Sequence, residues 1–392
     1  MLTINLSGRF DAENAQEVEA AISVDLAKCP GEVPEFDASG LKYISSAGLR
    51  VLLNFRKAFG KNLDVLNVSS NVYDIFDVTG FTELFNVKKR LREISLEGLD
   101  VIGGGAFSTV YRLDPETIVK VFTHHTATLS GAEKDRRISR EVFLHDIPTA
   151  IAYDVVKAGE NYGLVYEMID ADTLAGTLLK HTERLEELSI KTARLFRRLH
   201  TTEFERGVFP DARNRLHSIV QRVHDGEFIT VEDKALFDEA IDRIPYRNTF
   251  VQTDFHPKNI MVSGDDLILI DVGDAGLGHP IIDFLFSYTQ FVLLAGECAE
   301  YGSDIHERIT GLDSKTLGAM WDIIMLEYFG TSDSETLRGY EEIMRSYASI
   351  FLMSICFKAK GRLPIELRQK VGGGALTRLR EAANTLRPID GI

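Results

Sequence analysis

Near the N-terminus the apolar residues Leu2, Ile4 and Leu6 alternate with Thr3 and Asn5, the period of a half-buried strand, which Gly8 is expected to end. Asp11 is placed to cap a helix in which Ala15, Val18, Ile22 and Leu26 recur at helical spacing, closed by Pro30-Gly31. A short strand over 33–36, a loop from Asp37 feeding a helix that runs to Phe59, a strand over 64–68 and a short helix over 72–78 follow. Strands alternating with helices in so short a stretch predict a small α/β unit with a largely parallel or mixed sheet.

Beyond it the pattern changes. Ile102-Gly-Gly-Gly-Ala-Phe-Ser-Thr-Val-Tyr111 reads as strand, glycine-rich turn and strand, and Thr117-Ile-Val-Lys-Val-Phe122 as an apolar strand with Lys120 inside it. A lysine there is costly unless its ammonium finds a partner. Residues 136–144 form a helix that carries Glu141, and Gly163-Leu-Val-Tyr-Glu-Met-Ile169 forms another apolar strand. Leu188, Ala193, Leu195, Phe196 and Leu199 mark a helix that ends at His200. The last hundred residues are mostly helical, with apolar faces through Met320, Ile323 and Leu326 and through Ile350, Phe351 and Ile355.

Between these parts lies the stretch with the most chemistry. Phe250-Val-Gln-Thr-Asp-Phe-His-Pro-Lys-Asn-Ile-Met-Val262 and Leu267-Ile-Leu-Ile-Asp-Val-Gly-Asp274 give apolar runs joined by a Ser-Gly-Asp-Asp turn, with Asp254, Asn259 and Asp271 at strand ends. Phosphoryl transfer from a nucleotide needs such a set. One carboxylate accepts or orients the attacking hydroxyl, and hard oxygen ligands hold magnesium against the phosphates.

The loop Thr253-Asp-Phe-His-Pro-Lys-Asn259 with Ile270-Asp-Val-Gly-Asp274 resembles the aminoglycoside phosphotransferase and choline kinase branch of the protein-kinase-like superfamily, and His256-Pro257 favours that branch over protein kinases. The resemblance implies an α+β two-lobed domain, with an N-lobe at 98–169 and a C-lobe with a helical substrate-binding region at 170–392. It implies ATP and Mg2+ as cofactors, Asp254 as the catalytic carboxylate, and Asn259 and Asp271 as metal ligands. Gly103, Gly105 and Ser108 would cover the phosphates, with Ser108 where a third glycine usually stands. Lys120 would steady the phosphates beside Glu141, and backbone groups from Glu167 to Ile169 would bind adenine. Asp283, in Gly278-His-Pro-Ile-Ile-Asp283, would cap a helix or brace the catalytic loop, and Asp274 would assist the metal or the loop.

Tyr43-Ile-Ser-Ser-Ala-Gly-Leu49 resembles the STAS domain of anti-sigma factor antagonists, so residues 1–95 are expected to be an α/β STAS-like domain with a protein partner. Ser46 takes the place of the serine that is phosphorylated in that family; read as an ordinary helix start, Ser45 and Ser46 are an N-cap and a first-turn residue.

Bulk properties add limits. The 392 residues exceed one ordinary domain, and 44% hydrophobic with 26% charged residues is a globular composition. A net charge of −15 argues against a nucleic-acid partner. Cys29, Cys298 and Cys356 show no paired metal-ligand spacing. No basic-then-apolar leader is visible, and the apolar stretch 280–296, interrupted by Asp283 and Gln290, reads as a buried helix, so a cytoplasmic protein without a membrane partner is expected. The two resemblances imply an ATP- and Mg2+-dependent phosphotransferase, with a regulatory STAS domain, acting on a small-molecule hydroxyl. Glu297, Glu300, Asp304 and Glu327 are available to greet an amine on it, though a solvated helix face explains them better. A protein serine kinase acting on STAS serines and a non-catalytic nucleotide-responsive scaffold remain the alternatives.

Overall fold

The computed structural model describes residues 2–105, 107–123, 127–302, 304–358 and 365–389. The chain divides into two compact units, Met1–Ser95 with Val156–Glu160, and Leu96–Val155 with Asn161–Ile392.

In the first unit β1 (Leu2–Phe10), β2 (Pro34–Ile44), β3 (Asp64–Val68) and β4 (Asn86–Lys89) form a parallel sheet in that spatial order. They are connected through α1 (Ala15–Lys28), α2 (Ser46–Phe59) and α3 (Ser70–Val78), and β5 (Arg92–Ile94) follows. Alternate residues of the strands, among them Ile4, Leu6, Phe36 and Val65, meet Leu52, Val72 and Phe76 of the helices in one core.

Two strands run further than expected. Gly8 has φ +68° inside β1, and the register with β2 shifts beside it, so the strand continues through a bulge to Phe10. Strand β2 runs past Asp37 and Gly40 to Ile44, where a loop was expected. Asp11 does not cap α1; Asn14 is the N-cap, and Asp11 instead accepts from the Glu13 N–H and Arg9.

Helix α2 is started by Ser45, whose side chain accepts from the Ala47 N–H, and stopped by Gly60 in the left-handed region. Gly48 has no room for a side chain: a β-carbon there would lie 2.6 Å from the Phe10 carbonyl oxygen. The helix can settle on the end of β1 only because that position is bare.

The second unit begins with the hairpin β6 (Val101–Gly104) and β7 (Ser108–Arg112), continued antiparallel by β8 (Thr117–Phe122) and, after β9 (Ala152–Ala158), by β10 (Asn161–Glu167). Helix α4 (Leu129–Leu144) starts at Thr128, whose hydroxyl accepts from the Gly131 N–H. It buries Ala132, Asp135, Ile138, Ser139 and Val142, one face at three- and four-residue spacing.

After β11 (Asp172–Thr173) come α5 (Leu174–Lys180), α6 (Leu185–Thr201), α7 (Arg213–Asp225) and α8 (Val231–Asp242). The short strand β12 (Phe250–Val251) pairs with β15 (Gly276–Leu277), bracketing the hairpin β13 (Ile260–Ser263) and β14 (Asp266–Leu269). Helix α9 (Ile281–Tyr288) continues as wide π-helical turns over Thr289–Cys298 and is followed by α10 (Ile305–Thr310), α11 (Ser314–Phe329), α12 (Ser334–Lys358) and α13 (Ile365–Ala382).

The core of this unit reaches the chemistry directly. Phe196 of α6 stacks on Phe255 with ring centroids 4.3 Å apart and meets Phe284 of α9 edge-on at 5.0 Å, so the residue after Asp254 is anchored in packed aromatics. Ile281–Cys298 is long and apolar enough to cross a membrane, and 83% of it is buried inside the fold, where it serves as a core helix.

Candidate active site

The residues Asp254, Asn259, Asp271 and Lys120 come together because two turns and one strand aim them at one place. Pairing of Ile260 with Leu269 brings the two ends of the β13–β14 hairpin side by side, and the Ile270 N–H donates to the Asn259 carbonyl at 2.9 Å. Asn259 and Asp271 are therefore neighbours although eleven residues separate them along the chain. Asp271 itself sits at φ +57°, and Thr253, just before Asp254, at φ +66°; left-handed backbone at residues other than glycine persists where surrounding contacts impose it.

Those contacts are visible. The buried carboxylate of Asp283 accepts the Gln252 N–H at 2.8 Å and the Thr253 N–H, and it also meets His200 Nε2 at 3.1 Å. Asp283 thus braces the loop that leads into Asp254. His200, with Nδ1 2.8 Å from the Tyr328 hydroxyl, is part of that support. On the outer side Arg215 of α7 donates to Thr253 Oγ1 at 2.8 Å, reaches Asp274 Oδ2 at 2.8 Å and lies over the Phe286 ring. One guanidinium ties the loop before Asp254 to the loop after Asp271.

Lys120 points from β8 to the opposite side of the same place. Its ammonium is 2.7 Å from Asp271 Oδ1 and 3.4 Å from Asp135 Oδ2. Burial works against its charge, but Asp271 and then Asp135 outweigh burial and raise its pKa. Burial likewise works against the Asp271 carboxylate and is outweighed by Lys120, so that acid stays below its usual range. Asp135 goes the other way, its burial dominating over Lys120 and raising its pKa.

The helix carboxylate beside Lys120 is that of Asp135, where Glu141 was expected. Six residues at about 100° each put Glu141 roughly 120° round α4 from Asp135, off the face that packs inward. Glu141 remains half-buried, and its carbonyl accepts from His145. Gly273 makes room for Asp135, whose Oδ1 is buried without a partner among the described residues.

Asp254 is held on both carboxylate oxygens. Gln290 Nε2 donates to Oδ1 at 3.1 Å, and Asn259 Nδ2 donates to Oδ2 at 3.3 Å and to the Asp254 carbonyl at 3.0 Å. His256 Nε2 stands 3.8 Å from Oδ2. The Nδ1 of that ring accepts the Lys258 N–H, and burial lowers its pKa, so the ring is neutral with its proton on the side facing Asp254.

Gly103 pairs with Val110 across the β6–β7 hairpin, the Gly105 N–H donates to the Ser108 carbonyl at 2.9 Å, and Ser108 pairs with Phe122 of β8. Ala106, within the glycine-rich stretch, lies outside the described residues. At the end of β10 the Glu167 N–H donates to the Ile151 carbonyl and the Met168 N–H to the Glu116 carbonyl, while the Glu167 carboxylate accepts the Ile151 N–H at 2.8 Å. The chain thus uses the Glu167 and Met168 N–H groups for its own hydrogen bonds. The Ile169 carbonyl accepts from Ala171.

Of the acids set aside for an amine, Glu297 is engaged by Arg345 and Arg378, Asp304 by Arg308 and Glu327 by Arg194. Arg215 and Gln290 were not anticipated from the sequence. Arg215 is one of many polar residues on α7, and the interruption of the apolar run 280–296 by Gln290 was the one hint.

This arrangement has a family. Residues 99–309, more than half of the chain, match the phosphotransferase enzyme family, and the chain belongs to it. Residues 1–94 match the STAS domain, so an N-terminal STAS domain precedes the kinase-like fold.

Among solved structures, APH(2")-IIa in a ternary complex with streptomycin and ATP is 16% identical with a TM-score of 0.43, over 72% of this chain and 91% of that one. A choline/ethanolamine kinase family protein from Mesorhizobium loti is 15% identical with a TM-score of 0.46, over 74% and 89%. The choline kinase of Cryptosporidium parvum Iowa II is 12% identical with a TM-score of 0.44, over 73% and 90%. A search of curated proteins gave no match.

Proposed function

We propose that this phosphotransferase transfers the terminal phosphoryl group of ATP to the hydroxyl of a small molecule and depends on magnesium. The observation that carries this reading is the convergence of Lys120, Asp271, Asn259 and Asp254, with Lys120 2.7 Å from Asp271 and Asn259 bonded to Asp254.

The donor set fits a magnesium ion. Asn259 has its amide hydrogens turned to Asp254, which leaves its oxygen as the end for a cation, and Asp271 is ionised. No cluster of three or more His, Cys, Asp or Glu suited to a metal occurs among the described residues; with magnesium, phosphates and water usually complete the shell. When bound, the ion would neutralise charge on the phosphates.

The rest falls to the chain. Lys120 moves from Asp271 to phosphate oxygens, and residues 98–169 form the nucleotide lobe. Gly103 and Gly105 support phosphate contact: a β-carbon at Gly103 would meet only Val110 at 3.8 Å, and one at Gly105 would meet nothing, so packing does not demand glycine at either. Asp254 accepts or positions the acceptor hydroxyl, and residues 170–392 hold the acceptor. Catalysis is mainly positioning and charge neutralisation.

The STAS domain serves a protein partner and regulates the enzyme. Ser46, exposed as the first residue of α2, is the candidate phosphoacceptor, where free N–H groups and the helix dipole favour a phosphate.

The test is magnesium-dependent ATP consumption by the whole chain across amino alcohols, sugars, aminoglycosides and casein. Stimulation by a small hydroxyl compound, lost in Asp271→Ala, is expected. Asp254→Asn should lower kcat by roughly 10²–10⁴ with nucleotide still bound. Normal turnover in either variant removes the roles assigned to Asp271 and Asp254, and label appearing on casein or on the chain itself would move the acceptor to protein.

A further inference from the structure

Gln290 is a buried amide in a mostly apolar stretch, 2% exposed between Thr289 and Phe291, which are also buried. A carboxamide in such a place costs free energy unless its hydrogen bonds are made. Its Nε2 lies 3.1 Å from Asp254 Oδ1, and its Oε1 has no partner among the described residues. Turning the amide over would set Oε1 against a carboxylate oxygen, so the donor end is committed to Asp254.

We propose that Gln290 is a positioning residue, whose amide fixes the Asp254 carboxylate in the orientation that receives the acceptor hydroxyl. This rests on the assignment of Asp254 above. The terminal torsion of an aspartate is broad, with two equivalent faces, and one hydrogen bond leaves the plane free to swing. Here the two oxygens are engaged by different elements, Oδ1 by Gln290 and Oδ2 by Asn259 from the hairpin. The carboxylate plane is set by that pair.

The backbone supplies the reach. Helix α9 gives way to π-helical turns at Thr289, a widening that is frequent at functional sites. Thr289 Oγ1 ties the transition to the Leu285 carbonyl at 2.7 Å and to the Ala348 carbonyl of α12 at 3.2 Å. The residue that follows is thereby delivered to Asp254 from a segment packed on two sides.

The experiment compares the full-length wild type with Gln290→Met, which keeps length and volume but cannot donate, and Gln290→Glu, which sets a second carboxylate against Asp254. Crystal structures of each report the Asp254 side-chain torsions, calorimetry with magnesium and ATP reports nucleotide affinity, and thermal melting reports stability. With the acceptor found in the compound panel, kcat and KM are measured separately.

In Gln290→Met the Asp254 carboxylate is expected to turn or to occupy several orientations, with ATP affinity within about twofold of wild type. The kcat should fall roughly tenfold or more, by analogy with small misplacements of reacting groups. Gln290→Glu should lose more. An unchanged Asp254 orientation in Gln290→Met overturns the proposal, as does a drop confined to melting temperature with kcat intact. Wild-type protein without turnover on any acceptor would defeat the assigned function, yet the crystallographic comparison would still decide what Gln290 does to Asp254.

Discussion

A β-carbon on Gly273 would stand 1.6 Å from Oδ1 of Asp135. The loop that carries Asp271 and the helix that carries Asp135 therefore touch, and Lys120 joins the two carboxylates across that contact. In Gly273→Ala one of the two must retreat. The expected outcome is a loss of about 1–3 kcal/mol of stability, typical of overpacking, together with weakened ATP binding because Asp271 is displaced. Melting and ATP titration of the full-length variant check this, and a variant with wild-type values in both would show that the contact is not required.

Asp283 holds two backbone N–H groups and His200 at once, all buried. Asp283→Ala strands these donors and should cost about 3 kcal/mol or more, since each unsatisfied buried group carries its own desolvation penalty. Turnover should fall with stability, because Thr253 and Asp254 lose the brace. Comparison of chemical denaturation with kcat in the same samples tests whether loop geometry and folding fail together.

Asp233 and Arg380 form a two-pronged ion pair, with both N–O distances 2.6 Å, that fastens the start of α8 to α13. Hydrogen bonding from Arg380 is the largest cause holding the Asp233 pKa below its usual value, against opposing burial. A carboxylate depressed in the folded state contributes stability above its unfolded pKa and loses it as pH falls through the folded value. Arg380→Ala should therefore melt lower than wild type at neutral pH, by an amount worth about 1 kcal/mol given the exposed arginine, and the gap should close in acid. A gap that is constant from pH 7 to pH 3 would refute the linkage.

In the STAS domain Gly48→Ala would press a methyl group onto the Phe10 carbonyl at 2.6 Å and the Ile44 side chain at 2.9 Å. Hydrogen exchange of the full-length variant should show lost protection in α2 and β1, with the segments around Asp254 and Asp271 unchanged. Protection equal to wild type would mean that α2 can shift to make room.

Much of the site was legible because its spacing is short-range chemistry. Asp254, Asn259 and Asp271 flank apolar runs whose hairpin could be read from the turn, and Lys120 stands out as a charge in an apolar strand. What escaped depends on rotation and distance. Choosing Asp135 over Glu141 needs the phase of α4 against the sheet, and both carboxylates suit a helix. Gly8 looks like a strand end in sequence and Asp37 like the start of a loop, whereas a bulge absorbs the glycine and a long β2 takes in the loop. The link from Arg215 to Asp274 joins residues 59 positions apart on separate elements, so no local pattern announces it. Nor does any pattern announce the π-helical turns that bring Gln290 to Asp254.

The bridge from Lys120 to Asp271 and Asp135 also sets terms for whatever enters. On the role proposed for Lys120, a polyphosphate would have to win the ammonium from carboxylates it already contacts, so entry would be an exchange of anions at a fixed cation. Discrimination would then lie with how many negative oxygens the guest brings, since a nucleoside lacking phosphates would have nothing to put in place of the two carboxylates.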